Sequence, residues 1–100
     1  MIENNFAAFD EGFSSAALRD FTAICGKDAI VEDDVLEASE TTDYLLSYSC
    51  GEGSFTNCNG FGTSADFKTK NAGAFLHVFG SYFGDWDIEN NLMRASLCSK

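Results

Sequence analysis

Four cysteines and a lone histidine are the residues of this chain best suited to do chemistry. Cys25, Cys50, Cys58 and Cys98 are separated by 24, 7 and 39 residues. Structural zinc sites draw thiolates in close pairs, because a tight knuckle presents both to one ion. No such pair occurs here, so no metal is expected. An even set of four permits three disulfide pairings in a secreted protein. The chain opens Met1-Ile2-Glu3-Asn4-Asn5, without the basic and apolar regions of a signal peptide. The expectation is therefore a reducing cytoplasm and free thiols, with Cys50–Cys58 the most local candidate if a bridge forms. His77 lies within Phe75-Leu76-His77-Val78-Phe79. On a strand it shares a face with Phe75 and Phe79, a packed or partly buried setting. A Cys–His pair would be a nucleophile with its base, so an enzyme reading rests on such a pairing or on carboxylates.

Three further strings resemble known chemistry and fall short of it. Gly60-Phe61-Gly62-Thr63-Ser64-Ala65 fits the pyrophosphate-binding fingerprint. That fingerprint works only between a strand and a helix of a βαβ unit, and the string sits among turn residues. In Gly80-Ser81-Tyr82-Phe83-Gly84 the serine follows the first glycine directly, which is not a nucleophile elbow. Asp85-Trp86-Asp87-Ile88-Glu89 opens like a calcium loop, but the positions that need Gly and Glu hold Asn90 and Ser96. Acids there suit a helix start. Trp86 reads equally as an exposed anchor for a partner and as the rim of a core.

Charge is the strongest global signal. The 100 residues hold 16 acids and 6 Lys or Arg, for a net charge of −10. Such a balance excludes a nucleic-acid binder that works through a basic surface. The 45% hydrophobic and 14% aromatic fractions exclude a disordered chain. No apolar run is long enough to span a bilayer, so no membrane role is expected. Residues 28–67 contain nine acids and no Lys or Arg. Seven of them, Asp28, Glu32, Asp33, Asp34, Glu37, Glu40 and Asp43, crowd together and repel one another unless a counter-charge meets them.

The elements that must carry these residues follow from periodicity. Ile2, Phe6, Phe9, Phe13, Ala17, Phe21 and Ile24 step by three or four, which predicts an N-terminal helical segment. Gly12 splits it, with Ser14 capping a second helix, Phe13 and Leu18 stapling it, and Gly26 ending it. Residues 28–43 fit either a helix or short strands. Alternation predicts a strand from Tyr44 to Cys50 and another around Ala65–Thr69. Phe75–Phe83, the most apolar stretch, reads as a central strand. Asp85 or Asp87 then caps a helix that ends near Cys98. Glycine- and asparagine-rich turns between consecutive strands favour antiparallel pairing. The expected fold is one α+β domain over residues 1–100. A small antiparallel sheet of about four strands would carry the N-terminal helical segment and the C-terminal helix packed on it.

Two function classes remain. In the first, the chain is an acidic inhibitor or adaptor that engages a basic protein surface, such as that of a nucleic-acid-binding complex. Carboxylates on a rigid scaffold can imitate the phosphates of a nucleic acid. Small acidic phage proteins that block restriction or CRISPR machinery in the host cytoplasm work in this general way, an analogy of size and charge alone. Glu32, Asp33, Asp34, Glu37 and Glu40 would supply the charge, with Tyr44 and Trp86 as apolar anchors. In the second class, the chain is a small ligand-binding domain or enzyme with a site near Cys58, His77 or Asp85–Glu89. No cofactor is implied by either.

Overall fold

The computed structural model describes residues 1–6, 12–71 and 73–98. The protein is a small mixed α/β domain with β1 (Ile2–Asn4), α1 (Ser14–Cys25), α2 (Val35–Ala38), β2 (Leu46–Cys50), β3 (Asn57–Cys58), β4 (Gly62–Thr63), β5 (Phe75–Phe79) and α3 (Leu92–Leu97). Its main sheet has three strands in the order β1-β2-β5, and both pairings are parallel. Ile2 lies opposite Tyr48, and Tyr48 lies opposite His77. β3 and β4 form a separate two-stranded antiparallel hairpin.

This overturns the expectation of one antiparallel sheet. The tight turns after Cys50 do not join sheet neighbours. They build the hairpin and a 3-10 turn at Asp66–Lys68, where Ala65–Thr69 had read as a strand. Residues 51–74 thus serve as a crossover long enough to return the chain parallel to itself. Ile2–Asn4, expected to begin a helix, is instead the edge strand β1. Met1 fixes it: its ammonium donates to the Leu46 carbonyl at 3.0 Å, and its own carbonyl accepts from Tyr48 N at 3.0 Å.

α1 begins at Ser14, two residues after Gly12. Phe13 occupies the N-cap position without a side-chain bond, in place of the serine cap that was expected. Phe9 and the other residues of the stripe between 7 and 11 lie outside the described residues. Gly26, at φ +83°, ends α1 in a backbone region closed to most side chains, and its N–H donates to Thr22 O.

Parallel strands are usually covered on both faces, and β2 is. Tyr48 and Cys50 face α1 and pack with Ile2 and Ala17. Ser47 and Ser49 point to the opposite face and are fully buried. On that side a second cluster unites Val35 and Leu36 of α2 with Cys58, Phe61, Phe67 and Leu92 of α3. Helices therefore lie on both faces of the sheet.

Within residues 28–43 the helical alternative holds only for Val35–Ala38, and no regular strand forms. A 3-10 turn at Lys27–Ala29 leads to a single parallel bridge between Glu32 and Ile2, and then to the short α2. The C-terminal helix also starts later than expected, at Leu92. Asn91, fully buried, caps it by accepting from Met93 N at 2.9 Å and donates to the Asp85 carbonyl at 3.0 Å. Neither Asp85 nor Asp87 is the cap. Among the described residues no helix is long and apolar enough to cross a membrane.

Candidate functional site

The acidic run winds from the β1 edge across α2 toward the start of β2. Glu32 bridges Ile2, and Asp33 N donates to the Ile2 carbonyl at 3.2 Å. Glu32 and Asp33 thereby line a cleft with Ile2, Asn4 and Ser14. Asp34 is the N-cap of α2, its Oδ1 accepting from Glu37 N at 2.8 Å. Asp33 Oδ1 accepts from Asp34 N at 2.9 Å. These two carboxylates thus shape the backbone as well as carrying charge. Glu32 and Glu37 are exposed, and their side chains make no hydrogen bond or ion pair among the described residues. Glu40 meets Lys70 at 3.5 Å. Of the seven acids between Asp28 and Asp43 it alone has an ion-pair partner among the described residues.

The two aromatic candidates stand apart from this run. Tyr44 is half-buried against the core beneath α2, and its carbonyl accepts from Ala74 N at 3.1 Å. Trp86 lies at the β5 edge, across the sheet from Glu32. The structure therefore does not bring Glu32, Asp33 and Asp34 together with Trp86.

Cys58 and His77 are also kept apart. Cys58 belongs to the cluster on the α2–α3 face. Burial first, then the neighbouring Cys50 and Glu3, pushes its thiol up to about 12, far from the thiolate that nucleophilic chemistry requires. His77 shares the opposite face with Tyr48, their rings meeting edge-on at 5.5 Å. The sheet itself thus separates the one imidazole from Cys58. His77 is exposed rather than packed, as are Phe75 and Phe79 beside it. Cys50 is buried on the α1 face and donates to Asn4 Oδ1 at 3.2 Å, and all four cysteines are free thiols. Among the described residues no three His, Cys, Asp or Glu side chains converge where a metal ion could sit.

Two features escaped the sequence reading. Glu3 is a buried acid whose Oε1 accepts from Asn5 Nδ2 at 2.9 Å and whose Oε2 accepts from Val35 N at 3.1 Å. Burial raises its pKa, and these two hydrogen bonds only partly offset that. A helix assignment for residues 2–6 hid the residue, since β1 is what turns its side chain inward.

The second feature is the apolar margin of β5. Phe75 is 66% exposed, Trp86 52% and Leu97 75%. A groove of about 450 Å³ runs along Leu76 and Val78, walled by Trp86, Met93 and Leu97. On the other face a groove of about 260 Å³ is walled by Phe13, Asp20, Phe21 and His77. Phe75–Phe83, the most apolar stretch, reads as a central strand, whereas β5 ends at Phe79 and lies at the edge of the sheet. A contrary signal was present: no later strand-like run exists to cover its outer side.

Compared with models of protein families, with curated proteins and with solved structures, the chain matches none.

Proposed function

We propose that this chain is an acidic protein-binding inhibitor or adaptor that docks on a basic surface, such as the nucleic-acid-binding groove of a larger complex. The observation that carries the reading is the uncompensated charge of residues 28–43. All seven of their acids are at least partly exposed, and among the described residues Lys70 alone meets one of them. A run of this kind steers a basic partner over distances near the Debye length, about 8 Å at physiological salt, and accepts Arg or Lys contacts on arrival. The carboxylates occupy the role that phosphates play in the partner's own ligand.

The test uses Glu32 and Glu37, two exposed acids of the run whose side chains hold no backbone group or ion-pair partner among the described residues. Glu32→Lys with Glu37→Lys is compared with Glu52→Lys and Glu89→Lys, the same charge change at exposed acids outside the run. A basic nucleic-acid-binding protein retained by the wild-type chain at low salt serves as the partner. The first pair is expected to slow association by about tenfold and flatten its salt dependence, with the second pair closer to wild type. Added DNA or RNA should compete for the partner. Equal rates for the two double variants would reduce the run to a solubility coat.

A further inference from the structure

The outer edge of β5 is open. Phe75 N donates to the Leu45 carbonyl at 3.0 Å, and Gly51 N donates to the Phe79 carbonyl at 3.1 Å. In a parallel ladder alternate residues turn their backbone groups to opposite sides. Phe75, His77 and Phe79 therefore face β2, while the N–H and C=O groups of Leu76 and Val78 face outward. Among the described residues those outward groups have no backbone partner. Exposed edges are ordinarily blunted by lysines, prolines or bulges. Phe-Leu-His-Val-Phe has none of these, and its register with β2 is unbroken from Phe75 to Phe79.

We propose that β5 accepts an added strand: an extended segment of a partner protein, apolar at its centre and basic at its ends. Side chains of such a strand alternate between the two faces of the sheet, and each face offers a groove. On one side the strand would meet Trp86, Met93 and Leu97, and on the other Phe13 and Phe21. Backbone bonds to Leu76 and Val78 would supply affinity and the grooves would select side chains. Charge chooses the occupant. No Lys or Arg lines either groove. Asp20, on the wall of one, is met by Arg19 at 3.3 Å, so the acidic pull comes from exposed Asp85 and Asp87, which flank Trp86 beside the other and have no ion-pair partner among the described residues. A second copy of the chain would bring a further −10 against this margin, whereas a basic segment is attracted to it. The proposal shares with the reading above the premise of a basic partner, but it assigns a different surface.

The test uses the full chain and a short synthetic peptide with a β-branched apolar centre and lysines at both ends. A matched analogue carries N-methyl groups on alternate residues, which removes the donors a new ladder needs and leaves charge and side chains unchanged. Binding is read from the fluorescence of Trp86, the only tryptophan, and from exchange of the Leu76 and Val78 amides. The unmodified peptide is expected to bind at least about tenfold more tightly than its analogue and to slow both amides by a similar factor. Val78→Pro removes an outward N–H without touching the pairing to β2, and is expected to weaken binding by about tenfold. Equal binding of the two peptides, no binding at about 1 mM, or edge protection by self-association of the free chain would each overturn edge addition. None of these results touches the acidic-run reading. Protection of Leu76 and Val78 that persists in the Glu32/Glu37 double variant supports edge addition, whatever that variant does to the basic protein's association.

Discussion

Phe13 stacks on Phe79, with ring centroids 5.0 Å apart and planes inclined by 29°. The residue ahead of α1 thus covers the last residue of the open strand β5. Tyr48 holds it there, its hydroxyl donating to the Phe13 carbonyl at 3.0 Å. The contact links the centre of the sheet, the start of a helix and the exposed edge.

Removing that hydroxyl tests the link. Tyr48→Phe should cost about 1 kcal/mol in stability, the usual net worth of one hydrogen bond, read from the midpoint of urea unfolding. Phe13→Ala keeps the backbone carbonyl that Tyr48 meets but should cost more, since it removes a ring in contact with both Phe6 and Phe79. No change in either variant would mean that α1 is held to the sheet by Ala17 and Phe21 alone.

Glu3 makes stability depend on pH. Its folded pKa is raised by burial, so the native state binds the proton more tightly than the unfolded chain does. Falling pH should therefore favour the native state as it passes from Glu3's raised folded value toward the ordinary one, about 4.3. The gain is lost as pH climbs back through that window. Glu3→Gln should flatten this portion of the profile, measured by unfolding at closely spaced pH values. An unchanged slope would show that the burial of Glu3 has little energetic weight.

Asp66 acts in the opposite sense. Thr63 donates to its Oδ2 through both its N–H and its hydroxyl, each at 2.8 Å, and these bonds lower its pKa. Its contribution is full above the ordinary carboxylate value and disappears as pH falls through the lower folded value. Asp66→Asn should cost less than about 1 kcal/mol at pH 7, because solvent screens the site. The gap to wild type should close as pH falls below Asp66's lowered folded value. A gap that widens in acid would contradict the assignment.

Gly53 is predicted to reject a side chain. A Cβ there would strike the backbone of Ser81, which has no flexible end to swing aside. Gly53→Ala should destabilise by about 1–3 kcal/mol, the range for overpacking, whereas Gly84→Ala, where a Cβ meets nothing, should change little. Equal melting temperatures for the two variants would show that the loop carrying Ser81 yields freely.

Leu92 is fully buried where α3 meets the core, and its N–H donates to the Phe55 carbonyl at 2.8 Å. Leu92→Ala should cost about 2–5 kcal/mol by leaving a cavity. Leu97→Ala, on the exposed side of the same helix, should be nearly neutral to stability. Loss of peptide binding at the β5 groove in the second variant alone would separate packing from recognition.

By itself the sequence determined what local chemistry controls. Gly26 stopped α1 because its positive φ suits glycine, and Gly12 marked the start because helix interiors disfavour it. The alternation from Leu46 to Cys50 gave β2, and the acidic run was legible from composition alone. Only the tertiary structure decided how the strands pair. Ser47 and Ser49 are the polar half of that alternation, and serine is small enough to be buried beneath helices on the second face of a parallel strand. Ile2–Asn4 became a strand because Met1 and Tyr48 hold it there, a contact between residues far apart in the chain. Phe75–Phe79 carries the same residues whether central or at an edge. Which it became depended on the crossover formed by residues 51–74, and hydrophobic periodicity records the face of a strand but not its place in the sheet.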